Sequence, residues 1–234
     1  MTGAIAIFVK TPGLSPVKTR LADSISKDRA EQFFLMCVKV VEEIAFEAHK
    51  LSQGSLKPYW AVAEEEGVTA SYWHKFDILW TGEGDLGQRL SHVYSTLLEQ
   101  HDYVLLIGAD SPLLTPQLLL HASQQARKSD HCIIGPTFDG GFYLFGCRLP
   151  IPEDLWTNIP YSVTNTSKIL KEKLADIGEV EFLPPLLDID TNDELQQLIP
   201  LLKDSSLASQ QQLYQWLLDI FPQGAGETTS RLPQ

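Results

Sequence analysis

Short apolar, β-branched segments alternate with longer segments of helical spacing along almost the whole chain, and this alternation leaves few folds open. Strand candidates are GAIAIFVK (residues 3–10), KPYWAVA (57–63), FDILWT (76–81), DYVLLIG (102–108), CIIGPT (132–137), FYLFGC (142–147) and EVEFL (179–183). Between them lie segments whose apolar residues recur every three or four positions. The clearest runs over 27–51, with Phe33, Phe34, Cys37, Val40, Val41 and Ile44 on one face. Others cover 86–100, 115–128, 162–178 and 207–221. The uninterrupted apolar run DYVLLIG suits a strand covered on both faces of a parallel sheet. The fold class expected is therefore α/β, a single-domain α/β/α sandwich with a mainly parallel sheet over residues 1–221. From residue 222 to 234 there is no apolar pattern, which predicts a disordered tail.

In such sheets ligands collect outside the carboxyl ends of strands, near a switch in strand order. The polar motifs of this sequence fall at those positions. After the first strand comes a Pro/Gly loop with three cations, Lys10, Lys18 and Arg20, around Pro12, Gly13 and Thr19. It is not a Walker phosphate loop, because Val17 stands where that motif needs its second glycine. Cations gathered in one loop of a chain with net charge −12 still point to an anionic ligand, with phosphate the natural class. After the third strand, TGEGDLGQRL offers three glycines, Asp85 as a helix cap or ribose ligand, and Arg89 in a first helical turn where acids are preferred.

The apolar run 102–108 delivers Asp110 to its carboxyl end, ahead of Pro112. A carboxylate there suits a hard divalent cation, although an Asx-turn would use the same residue. FDGG places Asp139, Gly140 and Gly141 in a tight turn, suited equally to a hairpin or to close approach of a substrate. In LLDIDTND, Asp188 and Asp190 are two apart and so share one face of an expected short strand, followed by a helix capped at Thr191 or Asn192.

Other chemistries have little support. The six histidines lack metal spacing, no serine lies in a GxSxG elbow, and no glycine pattern fits a nicotinamide cofactor. The negative charge disfavours general nucleic-acid binding. No apolar run spans a bilayer and no export signal is visible, so a cytoplasmic protein is expected, with Cys37, Cys132 and Cys147 reduced and buried.

Taken in order, KxPG…VKTRL, GDLGxRL, IGADSP, DGGFYL and DIDT resemble an uncharacterised bacterial family of glycosyltransferase-like proteins. Some of its members are associated with radical-SAM proteins or selenium-related domains. The resemblance runs from about Ala4 to Leu202. It implies the nucleotide-diphospho-sugar transferase superfamily and its A-type glycosyltransferase fold. It further implies a transferase using a nucleotide or nucleotide-sugar donor and a small-molecule acceptor, by glycosyl or nucleotidyl transfer. By this resemblance Lys10, Pro12, Gly13, Lys18, Thr19 and Arg20 face nucleotide phosphates, and Asp85, Leu86, Gly87 and Arg89 lie beside base and ribose. Lys18, Arg20 and Asp110 would be catalytic, Asp110 holding Mg²⁺ or Mn²⁺ with Asp188 and Asp190 as further candidates. Asp139, Gly140, Gly141 and Tyr161 would face the acceptor. The chain departs from the pattern at Tyr161, often Trp in the family, and in lacking a full DxD motif, since Pro112 takes the third position. A protein of the same fold that binds nucleotide without turnover is the alternative.

Overall fold

The computed structural model describes residues 1–222; the expected tail 222–234 lies outside them except for Pro222. The strands are β1 (Gly3–Val9), β2 (Leu56–Val62), β3 (Asp77–Trp80), β4 (Tyr103–Gly108), β5 (His131–Pro136), β6 (Phe142–Cys147) and β7 (Glu179–Phe182). They form a seven-stranded sheet in the order β3-β2-β1-β4-β6-β5-β7. Every neighbouring pair is parallel except those made by β6, which runs antiparallel to both β4 and β5. The helices are α1 (Thr19–Ile25), α2 (Lys27–Leu51), α3 (Leu86–Leu98), α4 (Pro116–Ala126), α5 (Glu153–Thr157), α6 (Thr166–Leu174), α7 (Asn192–Leu202) and α8 (Ala208–Ile220).

The period of two along each strand divides the core into two layers. Ile5, Ile7 and Val9 of β1, with Leu105 and Ile107 of β4, pack against α2, α4, α7 and α8. Ala4 and Ala6, with Val104 and Leu106, face the opposite side, against Leu90, Val93 and Tyr94 of α3, Trp156 of α5 and Leu170 of α6. This is the three-layer sandwich expected. Helix starts follow the local signals as well. Thr115 caps α4 by accepting from the Leu118 N–H at 3.1 Å, with Pro116 in the first turn, and Thr191 and Glu194 form a capping box on α7.

Two expectations need correction. The segment 186–190 makes only an isolated bridge, Thr137 to Leu186, and is not a strand. Pro184 and Pro185 lie just before it and lack the N–H groups that would continue the ladder of β7. It is nevertheless extended enough to alternate: Ile189 is fully buried while Asp188 and Asp190 are partly open. Second, the cysteines are not all reduced. Cys132 and Cys147 stand opposite one another in the β5–β6 ladder, Cα atoms 4.5 Å apart, and are joined as a disulfide. The FDGG turn already allowed a hairpin, but not the register that sets these cysteines, 15 residues apart, face to face. Cys37 is free and buried. No helix of the described residues is long and apolar enough to cross a membrane.

Candidate functional site

From β1 the chain first extends the sheet on one side through β2 and β3, then starts its other side with β4 directly beside β1. The carboxyl ends of β1 and β4 therefore flank the switch in strand order. A cavity of about 1100 Å³ opens there. It is lined by Lys10, the loop 15–20, Ala63 to Glu66 beyond β2, the segment around Trp80 to Arg89, and Asp110 and Asp190.

Within this crevice the most distinctive group is Lys18. Its side chain is only 4% exposed, and its Nζ lies 2.9 Å from Asp110 Oδ2, 3.1 Å from Asp190 Oδ1 and 3.6 Å from Asp188 Oδ1. Lys18 is also the N-cap of α1, in the left-handed region at φ 43° and ψ 47°, and its side chain makes no cap bond. Burial opposes its charge, but Asp110, then Asp188 and Asp190, outweigh that and hold the ammonium protonated far above the usual lysine range. Burial likewise opposes ionisation of Asp110, yet Lys18 keeps its carboxyl below the usual range. Asp188 is pushed up to about 6, first by burial; Lys18 pulls the other way, and Asp110, Asp190 and Asp139 add repulsion. Cys37, also near this cluster, is driven far upward by burial and is an inert thiol.

The other expected site residues divide into two groups. Lys10, Thr19, Arg20, Leu86 and Arg89 line the same crevice. Arg20 is 74% exposed, with Nη1 3.5 Å from Asp190 Oδ2. Arg89 is tied to its own loops: Nη1 donates to Ala63 O at 2.5 Å and Thr81 Oγ1 at 3.1 Å, and Nε to Gly84 O at 3.0 Å. That explains a cation in the first turn of α3. Asp85 caps α3 in a capping box with Gln88. Gly87 is where α3 meets α5, since a Cβ there would lie 2.6 Å from the Trp156 carbonyl oxygen. Pro12 and Gly13 precede the cavity-lining part of their loop, and Gly13 borders a smaller hollow with Thr19.

On the expected acceptor side, Asp139 accepts from the Thr137 hydroxyl and from the Gly141 N–H at 3.1 Å. Gly140, at φ +96°, fits a turn so close to the Thr164 carbonyl that a side chain would collide with it. Tyr161 donates its hydroxyl to Trp156 O at 2.9 Å and packs on the α3 side of the core.

Sequence reasoning passed over two contributors. Glu64, Glu65 and Glu66 form an acidic wall of the crevice, and Glu64 Oε2 accepts from the Thr11 N–H at 2.8 Å. Their position just beyond β2 was the available signal. Gln210 of α8, 6% exposed, donates to Pro112 O at 2.8 Å and so anchors the turn that follows Asp110; nothing in its local sequence marks it.

The donor set can be tested against the expected metal. Among the described residues no group of three or more acidic, histidine or cysteine side chains could hold a metal ion alone. Three carboxylates nevertheless gather around one ammonium and carry more charge than it neutralises. Mg²⁺ commonly takes one or two hard carboxylate oxygens and completes its shell with phosphate and water. The residues fit that partial role.

The fold agrees with that of the solved structures the chain resembles. Residues 50–163 match the family described as "Uncharacterized protein conserved in bacteria (DUF2064)". No curated protein matches the chain in sequence. Among solved structures, a candidate nucleotide-diphospho-sugar transferase of Desulfovibrio desulfuricans superposes with a TM-score of 0.80 at 24% identity, over 94% of this chain and 99% of its own. A nucleotidyl transferase of Methanothermobacter thermautotrophicus gives 0.57 at 13% identity, covering 87% and 99%. A cytidylyltransferase of Leptospira borgpetersenii gives 0.52 at 14% identity, covering 99% and 100%. The fold is that of the nucleotide-diphospho-sugar transferases.

Proposed function

We propose that the chain is a metal-dependent transferase that uses a nucleotide-activated donor and passes a glycosyl or nucleotidyl group to a small acceptor. The observation that carries this reading is the meeting of Lys10, Lys18 and Arg20 with Asp110 and Asp190 in one crevice at the switch point. Lys18 and Arg20 already meet carboxylates of this cluster, so the case for an external anion rests on Lys10 and the exposed face of Arg20 at the switch point. A fold-level likeness to nucleotide-using enzymes makes a nucleotide the natural ligand.

In this reading the exposed Arg20 and Lys10 bind phosphate oxygens, Arg20 through its planar fork. The acidic wall Glu64–Glu66 repels the phosphates and so orients the donor with its anionic end toward β1 and β4. Asp110 and Asp190, with Asp188 beside them, would hold Mg²⁺ or Mn²⁺, which supplies neutralisation of phosphate charge when bound. Among the described residues no activated nucleophile lines the crevice, so direct in-line attack by the acceptor is the step it suits.

The test is a calorimetric screen of nucleoside triphosphates and nucleotide sugars with and without Mg²⁺, followed by product analysis. At least one nucleotide should bind with metal-enhanced affinity. Pyrophosphate release would then mark nucleotidyl transfer, and nucleoside diphosphate release glycosyl transfer. Absence of binding across the screen would overturn the reading, while binding without release over a broad acceptor panel would leave a nucleotide-binding protein.

A further inference from the structure

We infer that Lys18 is a built-in competitor of the divalent cation: its ammonium holds Asp110, Asp188 and Asp190 together in the free protein, excludes a metal that arrives alone, and is drawn off when metal and phosphate arrive together. This rests on the metal-and-nucleotide reading above and adds an order of binding to it.

The geometry supplies the argument. One ammonium stands within 2.9–3.6 Å of all three carboxylates, at the focus that their oxygens would otherwise present to a cation. Arg20 reaches only Asp190, from the outside, so Lys18 is the group common to the cluster. Its side chain is nearly sealed from water, whereas the three carboxylates around it are partly open, so moving it away leaves clustered like charges without their shared partner. A bare metal ion would have to displace the ammonium while offering it nothing in exchange. Phosphate oxygens in the crevice, which Lys18 already lines, offer charge-assisted hydrogen bonds in return. A lysine suits this exchange because its charge is compact and rides on a flexible stem. The cluster also retains an incentive for a second cation, since three carboxylates face a single buried ammonium.

Binding of Mn²⁺ alone, followed by electron paramagnetic resonance, separates the possibilities. Lys18→Met should bind Mn²⁺ without nucleotide roughly tenfold or more tightly than wild type. Adding Asp110→Asn to that variant should abolish the gain. Lys18→Gln serves if the methionine variant does not fold. In wild type, the Nζ resonance of ¹⁵N-labelled Lys18 should stay unchanged with Mg²⁺ alone and shift with Mg²⁺ plus a triphosphate that binds. Equal Mn²⁺ affinity of wild type and both variants, or a Lys18 resonance that shifts with Mg²⁺ alone, would overturn the inference. If wild type still takes up Mn²⁺ in the presence of a triphosphate, that result spares the metal reading. If neither protein takes up Mn²⁺ under either condition, both fall.

Discussion

Lys18, Asp188, Arg20 and Arg89 show how little the type of a charged residue says about its work. Asp188 is the least well paired of the three carboxylates, at 3.6 Å from the ammonium, and burial with like-charged neighbours pushes it up to about 6. At neutral pH its ionised form therefore opposes folding. Asp188→Asn keeps an oxygen for the Ile189 N–H, which Asp188 Oδ1 now accepts at 2.9 Å. In metal-free buffer it should raise stability by roughly 1–3 kcal/mol, read from denaturant unfolding. The two arginines should separate cleanly. Arg89→Met loses three anchoring bonds to the loops and should destabilise the fold by roughly 2–4 kcal/mol. Arg20→Ala, at an exposed position, should leave stability within ~0.5 kcal/mol and weaken nucleotide binding. The reverse pattern would mean that Arg89 binds the ligand and Arg20 the protein.

Elements were the most legible part of this chain, because periods of two and of three to four residues report on burial directly. The caps at Thr115 and Thr191 were legible for the same local reason, a side-chain oxygen facing free N–H groups three residues on. The packing between elements was not. Gly87 looks like a glycine kept open for a ligand, yet its near neighbour is the α5 backbone. Gly87→Ala should thus lower stability by roughly 1–3 kcal/mol through forced separation of α3 from α5. An undiminished melting temperature with weakened nucleotide binding would restore the ligand-facing interpretation. Asp188 and Asp190 were legible as a pair on one face, although the ladder that would make them a strand fails after two prolines. The capture of Lys18 by both of them left no trace in spacing, since it joins residues far apart along the chain. The cysteine pair was hidden in the same way by a hairpin whose register no local pattern announces.

At the scale of the whole molecule, a net charge of −12 sets the field through which any ligand travels. The cations of the crevice are a local exception in a surface that repels anions. Association of a triphosphate should accordingly speed up as salt is raised from low to moderate ionic strength, because screening removes the long-range repulsion first. Stopped-flow measurement would show this, and a rate that falls with salt would mean that the crevice steers its ligand after all. The longest reach in the site has a further consequence, for synthesis. Lys18 and Asp190, joined at 3.1 Å, are 172 residues apart. At ~5–20 residues per second the ribosome needs roughly 10–30 s to make the second after the first. Asp110 emerges about midway, so through nearly all of that interval the nascent chain carries the lysine without Asp188 and Asp190, and a fragment that stops short of them holds only part of the site.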